Sequence, residues 1–340
     1  MRRRAAVAAT ALVAISTLAC GSAPLGRGPA PGACSTLDVK ATHLTLANTD
    51  RPTAGFALPS GTQPVGIIRD RDGVSVWILG TGNNTVLHVM PDGSATSYPL
   101  PLSGLGIQLA QGTDGVVWVP EQYRDAIVAI GPEGQVTECR LPGKNLEPQS
   151  TSVASDGTGV WVAEGRGGAI AQLVWPKREF NVFTIGQPGV RAAEVLADPA
   201  GGAWFTVMGA AFLGRVTADG KVDRIPLGGS GTYLGLLLAP DGSVWVADFE
   251  GDAVYRVATD RKVTSWPTPP RSSPQGLALD RQGDLWFTES RSNQIARIRN
   301  NTVQKAYDTG QWPDHLAITT DGQVWFTEYY EDRLGRAAVT

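Results

Sequence analysis

The sequence predicts an all-β fold: a seven-bladed β-propeller made of four-stranded antiparallel blades. Three observations carry the prediction. Seven tryptophans, Trp77, Trp118, Trp161, Trp204, Trp245, Trp286 and Trp325, stand 41, 43, 43, 41, 41 and 39 residues apart. Each follows a Gly-containing turn: Asp72-Gly73, Asp114-Gly115, Asp156-Gly157, Gly201-Gly202, Asp241-Gly242, Gln282-Gly283 and Asp321-Gly322. No stretch of useful length has helical periodicity; each unit instead holds four short apolar or β-branched runs bounded by turns. Units of about 40 residues with four strands apiece are the pattern of propeller blades.

Composition narrows the class. The 340 residues carry 29 basic and 32 acidic side chains, a net charge of −3, a balance that argues against a nucleic-acid binder. Three Cys are too few for a disulfide scaffold or a structural zinc cluster. The 41 Gly and 23 Pro are turn chemistry distributed through the repeats.

Along the chain, residues 1–19 read as an address. Arg2, Arg3 and Arg4 precede an uncharged apolar run that is too short to span a bilayer comfortably. It ends at Thr17-Leu18-Ala19-Cys20, which resembles a relaxed bacterial lipobox. Export, cleavage before Cys20 and lipidation of its thiol are expected. That gives a membrane-anchored lipoprotein on the extracytoplasmic face, with a net charge of −6 once the three Arg are removed. Residues 20–52 read as a tether and N-terminal extension, with the Gly/Pro/Ala-rich part at 21–33 unable to bury a core. Cys34 and Cys139 remain as a pair, and an oxidising compartment permits their disulfide. The chain from Cys34 to Ala54 reaches about 65 Å extended, enough to pass two blades around a ring.

The propeller is assigned to residues 53–340. After Trp325 the seventh unit has only RLGRAAV before the chain stops, so it lacks an outer strand. The segment TAGFALPS at 53–60 resembles the outer strands of other blades and is expected to complete the ring, removing an open edge. A monomer is expected.

Strand direction sorts the loops. The residues that open the innermost strands are Pro64-Val65-Gly66, Leu105-Gly106, Ser150-Thr151, Ala193-Glu194, Leu234-Gly235, Pro274-Gln275-Gly276 and Pro313-Asp314-His315. The residues three after each Trp are Gly80, Glu121, Glu164, Val207, Asp248, Glu289 and Glu328. Both sets are expected at one mouth of the central channel, and five acids would make that mouth electronegative, able to hold a divalent cation. The alternative is that these acids cap backbone groups at strand ends. Of the three His, His43 and His88 are most simply structural. His315, beside Asp314 and near Glu328, Tyr329 and Tyr330, is the one positioned as a general base.

LDRQGDLWFTESRSNQIARI and ITTDGQVWFTEYYEDRLGR resemble the repeats of the streptogramin B, or virginiamycin B, lyases. The resemblance covers residues 53–340. It implies a seven-bladed propeller that opens the ring of a cyclic depsipeptide antibiotic by elimination, with Mg²⁺, histidine and glutamate on one face. The family's histidines directly follow the Pro that opens blades 6 and 7, where this chain has Gln275 and Asp314. His315 is displaced by one residue, and strand alternation would turn it to the opposite face. The acid before the seventh-blade Pro is replaced by Trp312, and only Glu328 or Glu331 matches the acid after the last Trp.

Two functions are therefore expected to compete. One is a binding module that holds a small molecule, a peptide or a cell-envelope component through Gln275, Glu289, Trp312, Tyr329 and Tyr330. The other is a diverged lyase using His315, Asp314 and Glu328, with Mg²⁺ on Glu289 and Glu328.

Overall fold

Seven antiparallel sheets follow one another along the chain, and each innermost strand lies against that of the next blade. The computed structural model describes residues 32–101, 104–157, 159–175, 177–187 and 189–339. Residues 1–31, with the expected signal segment, Cys20 and the first part of the expected tether, lie outside the described residues. Blade 7 runs Pro313–Ile318, Gln323–Glu328 and Arg333–Ala338, and then takes its outer strand, Ala54–Ala57, from the N-terminal side. In that closure Leu334 faces Phe56 and Gly335 faces Gly55. A Cβ at Gly55 would stand 2.2 Å from the Leu334 carbonyl oxygen, so the seam needs glycine there.

The repeating Trp sits on the second strand of each blade, at the blade interface. Such a side chain buries about 150–250 Å², about 4–6 kcal/mol of gross hydrophobic gain at 25 cal/mol per Å². That explains why one residue per blade sets the register. In blades 4 to 7 the cross-strand partner is an arginine stacked on the indole: Arg215 on Trp204, Arg256 on Trp245, Arg297 on Trp286 and Arg336 on Trp325. In blade 1 the same register position holds His88, stacked on Trp77 with ring centroids 4.3 Å apart. His88 thus takes the place of the repeat's arginine. The turn before the Trp is tied to it: the Trp286 indole N–H donates to Asp280 at 2.8 Å, and that of Trp77 to Asp70 at 2.5 Å.

The N-terminal extension differs from a loose leader. Cys34–Leu37 adds a fifth strand to blade 2, Thr42–Thr45 to blade 1 and Ala47–Thr49 to blade 7. From Cys34 onward the chain is therefore a belt lying on three outer edges. Strand pairing of this kind is a main-chain property, satisfying edge N–H and C=O groups. Cys34 faces Cys139 in the register, and the two are joined by a disulfide with Cα atoms 4.1 Å apart.

Candidate functional site

The upper face of the ring, where the innermost strands begin, is built around a recurrent irregularity. The innermost strand of blades 1 and 3 to 7 has a register shift near its start, between Pro274 and Leu277 in blade 6 and between Pro313 and Leu316 in blade 7. A bulge of this type sets two residues against one and breaks strict alternation. The amide it frees is caught by the Thr two places after the repeating Trp. Thr327 Oγ1 accepts the His315 N–H at 3.1 Å and donates to Val65 O at 2.6 Å in the next blade. Thr288 does the same for Gly276 N–H and Asp314 O, and Thr206 accepts the Glu194 N–H. The threonine of the W-F-T pattern therefore stitches one blade to the next.

The bulge corrects the expectation that His315 and Asp314 face opposite ways. His315 Nδ1 lies 2.5 Å from Asp314 Oδ1, and His315 Nε2 lies 3.0 Å from Glu194 Oε1. Gln275 Nε2 donates to the same Asp314 oxygen at 3.1 Å, while Ser290 Oγ donates to Gln275 Oε1. Five side chains from blades 4, 6 and 7 thus form one buried chain across the channel, with His315 only 3% exposed. Burial works against the His315 charge, but hydrogen bonds from its ring to Asp314 and Glu194 overcome it and raise the pKa to about 10. Burial raises the Glu194 carboxyl, opposed by its bond to His315.

The five acids after the repeating Trp do not converge on the channel. Glu121, Glu164, Asp248, Glu289 and Glu328 are all buried. Each has its pKa raised, chiefly by burial, Glu121 to about 8 and Glu164 to about 7. Asp248 accepts from the Ser230 amide and the Gly251 amide, which caps its own blade's loop. Glu328 accepts the Gly310 N–H at 2.6 Å and pairs with Arg333 at 2.5 Å. Glu289 is bonded to Gln294. The expected electronegative mouth is replaced by buried acids, of which Asp248 and Glu328 cap loop amides, while both Glu121 oxygens and one oxygen each of Glu164 and Glu289 are buried without a hydrogen-bond partner among the described residues.

These placements sort the predicted site residues. Asp314, His315 and Gln275 come together, whereas Glu328 is engaged with Arg333 and Gly310 in blade 7 and Glu289 with Gln294 in blade 6. Glu328 and Glu289 do not fit a shared magnesium ion: both Glu328 oxygens are taken, one by a guanidinium, and burial favours the protonated form of both acids. Among the described residues, the one group of three or more possible metal ligands in mutual reach is Asp70, Asp72 and His88. Its oxygens are occupied by turn amides, Ser75, Gln111 and the Trp77 indole. Glu194 was not singled out from sequence. The available signal was that it and Asp314 are the two acids among the residues opening the innermost strands.

Above the polar chain lies an apolar floor. Ile107, Ala193, Leu234 and Phe249 meet there from blades 2, 4 and 5, with Met208 and Trp312 against them. Trp312 continues the floor into an aromatic run: Phe249 lies 6.1 Å from it, Tyr330 lies 5.8 Å from it, and Tyr329 lies 4.9 Å from Tyr330. Tyr330 is 50% exposed. Trp312 has φ 61°, a left-handed backbone that a bulky residue before proline rarely adopts. The amide is held by Asn293 Oδ1 at 2.9 Å and the carbonyl by the Tyr329 N–H at 3.0 Å. Strain retained in this way is typical of functional surfaces.

The family model described as "Virginiamycin B lyase family" matches residues 9–247 and 225–340. The chain belongs to the virginiamycin B lyase family. A virginiamycin B lyase of Nocardia farcinica (strain IFM 10152) is 32% identical over 170 residues, which is 50% of this chain and 57% of that protein. The match thus spans little more than half of that relative's length. Among solved structures, a streptogramin B lyase superposes with a TM-score of 0.75 at 24% identity, covering 87% of this chain and 97% of the other. A catalytically inactive virginiamycin B lyase from Staphylococcus aureus, crystallised with quinupristin, gives 0.77 at 23% identity, covering 89% and 100%. These structures share the fold of this virginiamycin B lyase family member.

Proposed function

We propose that this member of the virginiamycin B lyase family is a lipid-anchored extracytoplasmic binding protein that holds its ligand on the aromatic upper face without breaking it. One observation carries the reading: His315, the histidine positioned as general base, has both ring nitrogens hydrogen-bonded to buried carboxylates. With its pKa near 10 it is an imidazolium at neutral pH and has no lone pair to take a proton. Gln275, where the family resemblance implies the first histidine, is a buried amide and takes no proton either. The surface offered to a ligand is Trp312, Tyr329 and Tyr330, backed by the buried Phe249 and suited to stacking the rings of an amphipathic cyclic molecule. The leader sequence and Cys20 support export and anchoring.

Quinupristin is the direct probe. Titration should quench tryptophan fluorescence saturably in the parent and not in Trp312→Ala. Mass spectrometry after overnight incubation with Mg²⁺ should return the intact ring. Ring-opened product made by the parent and absent with His315→Gln would sink the binding reading and restore the lyase.

A further inference from the structure

The lower mouth of the channel, on the face of the Asp-Gly turns, holds a cavity of about 530 Å³, within the range of small-molecule sites. Glu194 and Leu196, two residues apart on the same strand, both line it, so it spans about 7 Å of channel at 3.3 Å per residue. The wall between them is mixed. Gln108, Thr113 and Ser152 supply amide and hydroxyl groups, Gln111 and Thr320 line it with side chains bonded to Asp70, the Arg71 N–H and the Gly73 carbonyl, and Leu109, Val195 and Leu236 supply aliphatic surface. The rim is cationic. Arg69 and Arg71 both line it and are exposed. Arg281 reaches the same edge through its bond to the Thr320 carbonyl. Arg69 Nη1 touches only the Ile318 carbonyl, at 3.3 Å. None of these three guanidinium groups is ion-paired with a carboxylate among the described residues, whereas Arg124, Arg191, Arg215 and Arg333 are. Asp70 also lines the cavity, but its oxygens are engaged by the Trp77 indole, the Gln111 amide and the Asp72 N–H.

We propose that this lower cavity is a binding site for a small organic anion, whose carboxylate or phosphate meets Arg69 and Arg71 and whose hydroxylated or aliphatic body enters toward Glu194. Guanidinium forks bind both anion types in bidentate fashion, so the rim sets the charge of the ligand. Glu194, already accepting from His315, accepts a hydroxyl or amine from the far end. The site is separated from the upper face by the buried Glu194–His315–Asp314 chain and by the apolar floor, and it does not depend on the reading of that face.

The test is titration calorimetry of the purified full chain with citrate and with inorganic phosphate at matched ionic strength. Saturable binding of at least one is expected, weakened at least tenfold in the Arg69→Gln/Arg71→Gln double variant. Thr113→Trp, an exposed position on the cavity wall, should block binding by volume alone, which guards against a charge effect exerted from elsewhere. Preference for citrate marks a carboxylate ligand and preference for phosphate a phosphorylated one; either result supports the site. Quinupristin quenching should be unaltered in all these variants. Absence of heat with both probes at 10-fold above ordinary millimolar metabolite levels would overturn the proposal. So would affinity indifferent to both the double variant and Thr113→Trp.

Discussion

His315→Ala is the substitution whose cost follows most directly from the structure. It removes the cation between Glu194 and Asp314 and leaves two buried carboxylates with no charge between them. Breaking one partner out of a buried ion pair costs about 3–5 kcal/mol, because the remaining charge stays desolvated. For a domain of this size each kcal/mol moves the melting temperature by about 2 °C, so a fall of about 6–10 °C is expected at pH 7.5. The same variant should regain part of that loss at pH 5, because burial raises the Glu194 carboxyl and favours its protonated form. The double variant His315→Gln/Glu194→Gln, which keeps a neutral hydrogen bond across the channel, should lie closer to the parent than His315→Ala does. Scanning calorimetry of the three proteins at both pH values is the assay. A melting temperature for His315→Ala within 2 °C of the parent at pH 7.5 would show that the channel chain holds nothing together.

Three further outcomes are expected. The pH dependence of stability should slope downward from mildly acidic to alkaline conditions. His315 has a folded pKa raised from 6.5 to about 10, so its contribution is complete below pH 6.5 and lost as pH rises through 10. Glu164 and Glu121, raised from 4.5 to about 7 and about 8, bind protons on folding and add to the loss between pH 4.5 and 8. Urea midpoints at pH 5.5 and 9.5 check this, and an equal or higher midpoint at 9.5 would contradict it. Thr327→Val strips the acceptor from the bulged His315 amide and the donor from Val65 O, and should cost about 1–3 kcal/mol in the same measurement. Cys34→Ser opens a loop of 105 residues and should cost about 4–5 kcal/mol, matched by the parent in reductant; unfolding curves of variant and oxidised parent with the same midpoint would refute the estimate.

The architecture was legible because each blade repeats one physical solution: a turn, then a Trp that anchors a blade interface, then a facing strand. The missing outer strand of blade 7 showed for the same reason, since a unit of known pattern ended short. What stayed hidden depends on main-chain geometry. The bulge between Pro313 and Leu316 leaves no mark in residue type, yet it swings His315 and Asp314 together and makes an imidazolium of an expected base. The direction of Glu289 and Glu328 was invisible because position along a strand does not say whether an acid meets the channel or its own blade's loop. The strands Thr42–Thr45 and Ala47–Thr49 are short and partly exposed, so they show little of the apolar alternation that marks a sheet.

The belt also gives a seven-fold ring a direction. Its strands occupy the outer edges of blades 2, 1 and 7, so among the described residues the bare outer edges belong to blades 3 to 6. Those edges carry Glu179, Asp223, Arg224 and Lys305, and two of them end at Pro226 and Pro267, which discourages random strand addition. A partner that joined by extending a sheet would meet a repeat's own fourth strand on an arc of four blades and a belt strand on the remaining three. The rim thus distinguishes one side of the molecule from the other, although the repeats beneath it are nearly alike.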